Sequence, residues 1–272
     1  MLVFPKAKIN IGLNITGRRD DGYHNIETIF YPVGLCDALE VVAGAAGSET
    51  DILNVTGYGL NVAPENNIAL KAVKMLRQIR PFPILRINLH KGIPSGAGLG
   101  GGSSDAACML RTIDRMFSLN ISDETLKETA LQLGSDCPFF IDSRPSFATG
   151  RGEILEPVDT VLKGFHIVLL NPGIQVSTRE AYENCEPAVP EKSLKDLVNS
   201  PVREWKNLIV NDFEKTVFRK YPLIGDLKAA LYNSGSLYSS MSGSGSTVYG
   251  IFTGKPALPD RLRDYVIFSG SL

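Results

Sequence analysis

Apolar and polar residues alternate from Lys8 to Thr16: Ile9, Ile11, Leu13 and Ile15 fall on one side, and Lys8, Asn10, Gly12, Asn14 and Thr16 on the other. Successive side chains of a strand point to opposite faces, so the pattern predicts a half-buried strand whose second face is small and polar. Ile26 to Gly34, Ala38 to Ala43 and Ile84 to Leu89 predict further strands, separated by a charged turn at Arg18 to Gly22 and a loop at Gly44 to Ser48. The period becomes helical over Glu65 to Arg80, with Ile68, Leu70, Val73 and Leu76 apolar. Ala106 to Phe117 repeats it, and Ser122 to Leu133 is a third helix with Ser122 as its cap and Glu124 in its first turn. Further along, Ser146 to Gly152 reads as a strand and turn, and Phe165 to Leu170, Leu237 to Met241 and Thr247 to Phe252 read as strands. Thr178 to Asn184, Trp205 to Phe218 and Leu223 to Asn233 read as helices. The character of the chain shifts near Leu155, which predicts an α+β protein of two lobes, residues 1–155 and 156–272.

Between a predicted strand and a predicted helix lies Pro94-Ser95-Gly96-Ala97-Gly98-Leu99-Gly100-Gly101-Gly102-Ser103-Ser104-Asp105. Glycine at this density weakens helix and strand alike, so it stands where backbone must approach something closely. The serines and aspartate read as the helix start. Bare N–H groups feeding a helix N-terminus suit an anion, phosphate above all. No lysine followed by Ser or Thr closes the run, which excludes the Walker loop. Gly96, Gly98 and Gly101 match G-x-G-x-x-G, but the segment about twenty residues on is a loop and helix cap where a dinucleotide fold needs an acidic strand end. Protein-kinase landmarks are absent.

The totals narrow the class. With 28 basic and 29 acidic residues there is no surplus to attract nucleic acid. Cys36, Cys108, Cys137 and Cys185 are scattered and fit reduced core positions in a cytoplasmic protein. His24, His90 and His166 share no metal-ligand spacing. Lys6 and Lys8 interrupt the only apolar start, so no signal peptide is expected, and no apolar run approaches the length that spans a membrane.

Phosphoryl transfer needs positioning and charge neutralisation more than covalent chemistry. Lys8, on the polar face of the first strand, could supply a cation or be an ordinary solvated lysine. Asp136, before the apolar Cys137-Pro138-Phe139-Phe140, could be a buried carboxylate coupled to a partner charge or a turn residue. Tyr23-His24 offers an aromatic face and a switchable donor. Ser242-Gly243-Ser244-Gly245-Ser246 could face the first glycine run or be a tight hairpin.

The order of these segments is more specific than any one of them. Pro5-Lys6-Ala7-Lys8-Ile9-Asn10, Asp21-Gly22-Tyr23-His24, the glycine run, Gly134-Ser135-Asp136-Cys137-Pro138-Phe139-Phe140 and the second glycine turn together resemble the GHMP kinases over nearly the whole chain. The resemblance implies an N-terminal ATP-binding lobe like ribosomal protein S5 domain 2 and a C-terminal ferredoxin-like lobe. The two N-terminal segments narrow it to the branch that uses ATP and Mg²⁺ to phosphorylate the 2-hydroxyl of a cytidine diphosphate-linked methylerythritol, on the non-mevalonate route to isoprenoids. By the match, Asp136 is the general base and Lys8 its charge partner. Gly96 to Ser104 wrap the phosphates, with Pro94 and Ser95 leading in, and Ser104 touches Mg²⁺. Asp105 points away from the phosphates or faces the metal. Asn67 and Lys91 hold the adenine. The cytosine lies between Tyr23 and Tyr182, His24 reads its edge, and Asn10 and Thr178 place the polyol or diphosphate. The partners implied are small molecules, with no nucleic acid and no membrane, and the chain is a monomer or homodimer. The alternatives are another small-alcohol kinase of the family, of homoserine or mevalonate type, a nucleotide sensor on the same fold, and a dinucleotide-binding oxidoreductase.

Overall fold

The computed structural model describes residues 1–45, 47, 49–59, 66–159, 162–182 and 185–272. They form an α+β protein of two compact units, each assembled from separated stretches of chain.

One unit comprises Met1–Ala7, Leu35–Ser95 and Gly100–Ser143. Its sheet runs in the order β1 (Leu2–Val3), β4 (Ala38–Ala43), β6 (Leu85–Lys91), β5 (Ile52–Gly57). The first three pair antiparallel, and β5 lies parallel to β6. A mixed sheet with β6 between an antiparallel and a parallel neighbour is not the parallel sheet a dinucleotide fold requires, which removes that alternative. Helix α1 (Ile68–Ile79) buries Ala69, Leu70, Ala72, Val73 and Leu76, one stripe of the predicted amphipathic pattern. It begins at Ile68 because the Asn67 side chain accepts the Ala69 N–H at 2.9 Å; Glu65, the expected start, lies outside the described residues. Helix α2 (Gly101–Phe117) starts five residues before the expected Ala106. Tertiary packing overrides propensity here: a Cβ on Gly101 would come within 2.9 Å of Ile93 Cγ2, so only glycine lets the first turn close. Helix α3 (Asp123–Leu133) is capped by Ser122 as expected, and the short α4 (Cys137–Asp142) follows with Asp136 as its N-cap.

The other unit comprises Lys8–Gly34, Gly96–Leu99 and Arg144–Leu272. It holds two sheets. One runs β2 (Lys6–Arg18), β3 (His24–Cys36), β7 (Ser146–Thr149), β8 (Ile154–Pro157). The other runs β10 (Tyr238–Met241), β11 (Val248–Phe252), β9 (His166–Leu170), β12 (Val266–Ser271), antiparallel throughout. Their core includes Leu13, Ile15, Val168, Leu170, Phe213, Val217, Leu231 and Val248. Helix α5 (Thr178–Tyr182) agrees with expectation as far as it is described; residues 183 and 184 lie outside. After a short helix α6 (Leu194–Leu197), the helix expected over Trp205 to Phe218 is divided into α7 (Trp205–Leu208) and α8 (Phe213–Lys220). Between them Asn211 pairs with Leu13, and its side chain accepts the Phe213 N–H just ahead of the new helix, whose N-cap position is Asp212. Helices α9 (Pro222–Asn233) and α10 (Asp260–Arg263) complete the unit.

Strand β2 departs from the half-buried expectation: every residue from Ala7 to Ile15 is buried. Its polar face is covered because the second glycine turn and Tyr249 close over it, as the hydrogen bonds below show. Four strands that the pattern did not indicate, β1, β5, β8 and β12, are all at sheet edges. An edge strand needs only one partner, so its sequence carries a weaker alternation.

Candidate functional site

The glycine run is shared by the two units: Gly96–Leu99 belong with Lys8 and the second glycine turn, and Pro94, Ser95 and Gly100–Ser104 belong with β6 and α2.

In the unit that contains Lys8, the lysine is 4% exposed. Its Nζ donates to Asn10 Oδ1 at 2.6 Å and to the Gly98 carbonyl at 3.1 Å, and it sits 4.9 Å from the Phe30 ring centroid. Burying an ammonium is costly unless it is hydrogen-bonded and electrostatically matched, and these contacts supply part of that match. Asn10 is held in turn. Its Nδ2 donates to Thr28 Oγ1 at 2.9 Å, Thr28 donates to Gly12 O at 2.6 Å, and the Tyr249 hydroxyl donates to Asn10 O at 2.8 Å. The second glycine turn does face the first glycine run. Ser242 Oγ accepts the Asn10 N–H at 3.2 Å and donates to Gly98 O at 2.8 Å. Gly98 has φ +76°, and a Cβ there would overlap the Ser242 carbonyl oxygen. Asn211 Nδ2 fixes the turn by donating to Met241 O at 2.8 Å and Gly243 O at 2.9 Å. Thr178 reaches the same turn, its Oγ1 3.3 Å from Ser244 Oγ.

The aromatic group lies in the same unit. His24 stacks on Tyr182 with centroids 4.6 Å apart and planes 12° from parallel. Phe213 meets Tyr182 edge-on at 4.8 Å. Tyr23 is exposed, and the Arg151 guanidinium lies 4.9 Å from its centroid. The two tyrosines therefore have different ring-face partners. His24 Nε2 is buried without a hydrogen-bond partner, and burial, helped by the charge of Arg18, lowers the ring's pKa below the ordinary 6.5.

In the unit that contains α2, Gly100 has φ +68° and sets the helix entry. The first intrahelical bond runs from Ser104 N–H to Gly100 O at 2.9 Å. The N–H groups of Gly101, Gly102 and Ser103 precede it and have no partner within the helix, which suits them to an anion. Ser104 is buried. Asn67 is the cap of α1, and Lys91 is buried with its Nζ on Asp37 and Asp105. Asp105 thus points away from the loop, into the interior. Burial and the neighbouring Asp37 outweigh Lys91 and push its carboxyl up to about 8. Asp136 is half-buried, and its side chain does not cap the helix it begins. Among the described residues no group of three or more His, Cys, Asp or Glu could hold a metal ion, and no helix is long and apolar enough to cross a membrane.

Sequence reasoning missed Thr28, Phe30, Arg151 and Asp37. Nothing in the sequence near Asp37 marks it; Thr28 and Phe30 follow only once β3 is placed beside β2.

Two family descriptions match the chain: GHMP kinases N terminal domain over residues 67–144 and GHMP kinases C terminal over residues 193–267. The fold, the interlocked glycine turns and these matches define a phosphotransferase class: the chain belongs to the GHMP kinase family. It is 50% identical over 253 residues to the 4-diphosphocytidyl-2-C-methyl-D-erythritol kinase of Bacteroides fragilis (strain YCH46), covering 93% of this chain and 92% of that protein. It is 47% identical over 269 residues to the protein of the same name from Parabacteroides distasonis, covering 99% and 96%. A crystal structure of 4-(cytidine 5'-diphospho)-2C-methyl-D-erythritol kinase superposes with a TM-score of 0.83 at 30% identity, covering 100% of this chain and 98% of that one.

Proposed function

We propose that the protein transfers the γ-phosphate of ATP to the 2-hydroxyl of 4-diphosphocytidyl-2-C-methyl-D-erythritol, a step in isoprenoid precursor synthesis. The observation that carries this reading is the 50% identity over 92% of the length of a relative of that name. The buried, fully oriented Lys8 supports it, because phosphoryl transfer is catalysed chiefly by positioned charge.

In this reading the glycine run, from Pro94 to Ser104, cradles the ATP phosphates, with its backbone N–H groups and the start of α2 as donors. Asn67 belongs to the wall around the adenine, and Lys91 serves that wall from the interior, where its ammonium is held by Asp37 and Asp105. Asp136 orients the acceptor hydroxyl and takes its proton late, as a loose transition state requires. Lys8 is its charge partner and supplies positive charge for the transfer. Asn10 and Thr178 hold the polyol or diphosphate. Tyr23 and Tyr182 stack the cytosine, and His24 reads its edge; for a base to lie on the Tyr182 face, His24 has to yield it. Selection of cytosine comes from hydrogen bonds, since stacking tolerates any base.

Mg²⁺ fits as a cation carried mainly by the phosphates. Ser104, buried in the first turn of α2, would offer it one hydroxyl oxygen, and Mg²⁺ commonly takes one or two protein oxygens beside phosphate and water. When bound, it neutralises charge on the transferring phosphate. The family domains correspond in this reading to residues 1–155 and 156–272.

The test is ADP release from MgATP with 4-diphosphocytidyl-2-C-methyl-D-erythritol, beside homoserine, mevalonate and no-acceptor controls. ADP release only with the cytidine substrate establishes the reaction. Release with another alcohol instead keeps the family and overturns the substrate.

A further inference from the structure

Asp37 lies between β3 and β4, Lys91 ends β6, and Asp105 stands in the second turn of α2. All three are at most 2% exposed. Lys91 Nζ donates to Asp37 Oδ2 and, at 2.6 Å, to Asp105 Oδ2. The other Asp37 oxygen accepts the N–H groups of Gly92 at 2.7 Å and Ile93 at 2.8 Å.

Such a cluster is a poor source of stability, because desolvating an ammonium and its carboxyl partners offsets what their attraction returns. Its geometry is more informative. Gly92 and Ile93 are where the chain leaves β6 for the glycine run. Asp105 is where the run has become helix. Asp37 holds the first point directly and the second through Lys91. Gly101 packs into the same corner: a Cβ there would lie 3.4 Å from Lys91 Nζ. The Lys91 side chain is 1% exposed, so its ammonium has no surface to offer a ligand.

We infer that Asp37, Lys91 and Asp105 form a buried clasp that fixes both ends of the glycine run, and that Lys91 serves the nucleotide as a positioning residue through this clasp, without its ammonium touching the nucleotide. The role rests on the reading of the run as a phosphate cradle. Two carboxyl groups face one ammonium, and Asp105 Oδ1 has no hydrogen-bond partner. Asp105→Ala therefore cuts the tie at the helix end and leaves Asp37 and Lys91 as a balanced pair, so the core keeps no unpaired charge. Asp105→Asn restores an oxygen for Lys91.

The experiment uses the full chain. Hydrogen exchange is followed without nucleotide, MgADP binding by calorimetry, and KM for MgATP and for the acceptor by steady-state kinetics. Asp105→Ala is expected to speed exchange over residues 92–104 by roughly tenfold and leave α3 unchanged, since local opening is set by local contacts. MgADP affinity is expected to fall by about tenfold and KM for MgATP to rise with it, while acceptor KM holds; Asp105→Asn returns these values toward the parent. Unaltered exchange over 92–104 overturns the clasp. Weaker MgADP binding in Lys91→Met, with Asp105→Ala and Asp37→Asn both like the parent, overturns it too, because the ammonium then acts on the nucleotide directly. Faster exchange in a chain whose parent binds no MgADP retains the clasp and overturns the phosphate reading.

Discussion

Lys8 and Ser242 donate to one oxygen, the carbonyl of Gly98, at 3.1 and 2.8 Å. Ser242 also accepts the backbone N–H of Asn10, whose side chain is another acceptor of Lys8. One hydroxyl from the far end of the chain thus touches two residues that accept from the buried ammonium. Ser242→Ala leaves these groups short of a partner, a loss of about 1–3 kcal/mol for buried polar atoms. It is expected to lower kcat by roughly tenfold, while Ser242→Thr, which keeps the hydroxyl, retains most of it. Steady-state kinetics of the two variants decide; an alanine variant with parental kcat removes Ser242 from the support of Lys8.

Gly98 has the opposite sensitivity. Its φ of +76° is strained for any other residue, and a Cβ would overlap the Ser242 carbonyl. Gly98→Ala is expected to destabilise the protein by at least about 1–3 kcal/mol, the cost of such backbone strain alone. Urea denaturation measures it, and a change under a few tenths of a kcal/mol would mean that the two turns do not interlock in solution.

Asp136→Asn keeps the shape of the α4 N-terminus and removes the proposed base. Turnover is expected to fall by about 10²-fold or more while MgATP still binds. Unchanged turnover in the ADP-release assay takes Asp136 out of the mechanism.

His24 is shielded from water and near Arg18, and both lower its pKa from 6.5. A lowered histidine pKa means that the folded state resists protonation. The ring's contribution to stability is present above the ordinary histidine range and is lost as the pH falls through its own, lower midpoint. An NMR titration of the ring is expected to show a midpoint under 6.5. A midpoint at or above that value contradicts the shielded stack on Tyr182.

Tyr23→Ala is expected to raise KM for the cytidine substrate, with base–aromatic stacking worth roughly 1–3 kcal/mol. KM for MgATP should stay put. The reverse outcome assigns Tyr23 to the adenine side.

Much of this protein was legible in its sequence because the relevant physics is local. The alternation around Ile9 to Ile15, the stripe of α1 and the Ser122 cap of α3 each depend on neighbours within a turn or two. The glycine run announced close backbone approach for the same reason: its composition rules out ordinary helix and strand by itself. The family followed from the order of short motifs.

Tertiary structure decided what depends on partners distant in the chain. It buried the polar face of β2 by closing the second glycine turn and Tyr249 over Asn10. It began α2 at Gly101, where propensity argues against helix and packing against Ile93 admits only glycine. It split the helix expected over Trp205 to Phe218 so that Asn211 could reach β2 and the second glycine turn. It turned Lys91 inward onto Asp37 and Asp105. A sequence pattern reports which residues prefer burial or a given period, and it is silent on which distant group will satisfy a buried charge.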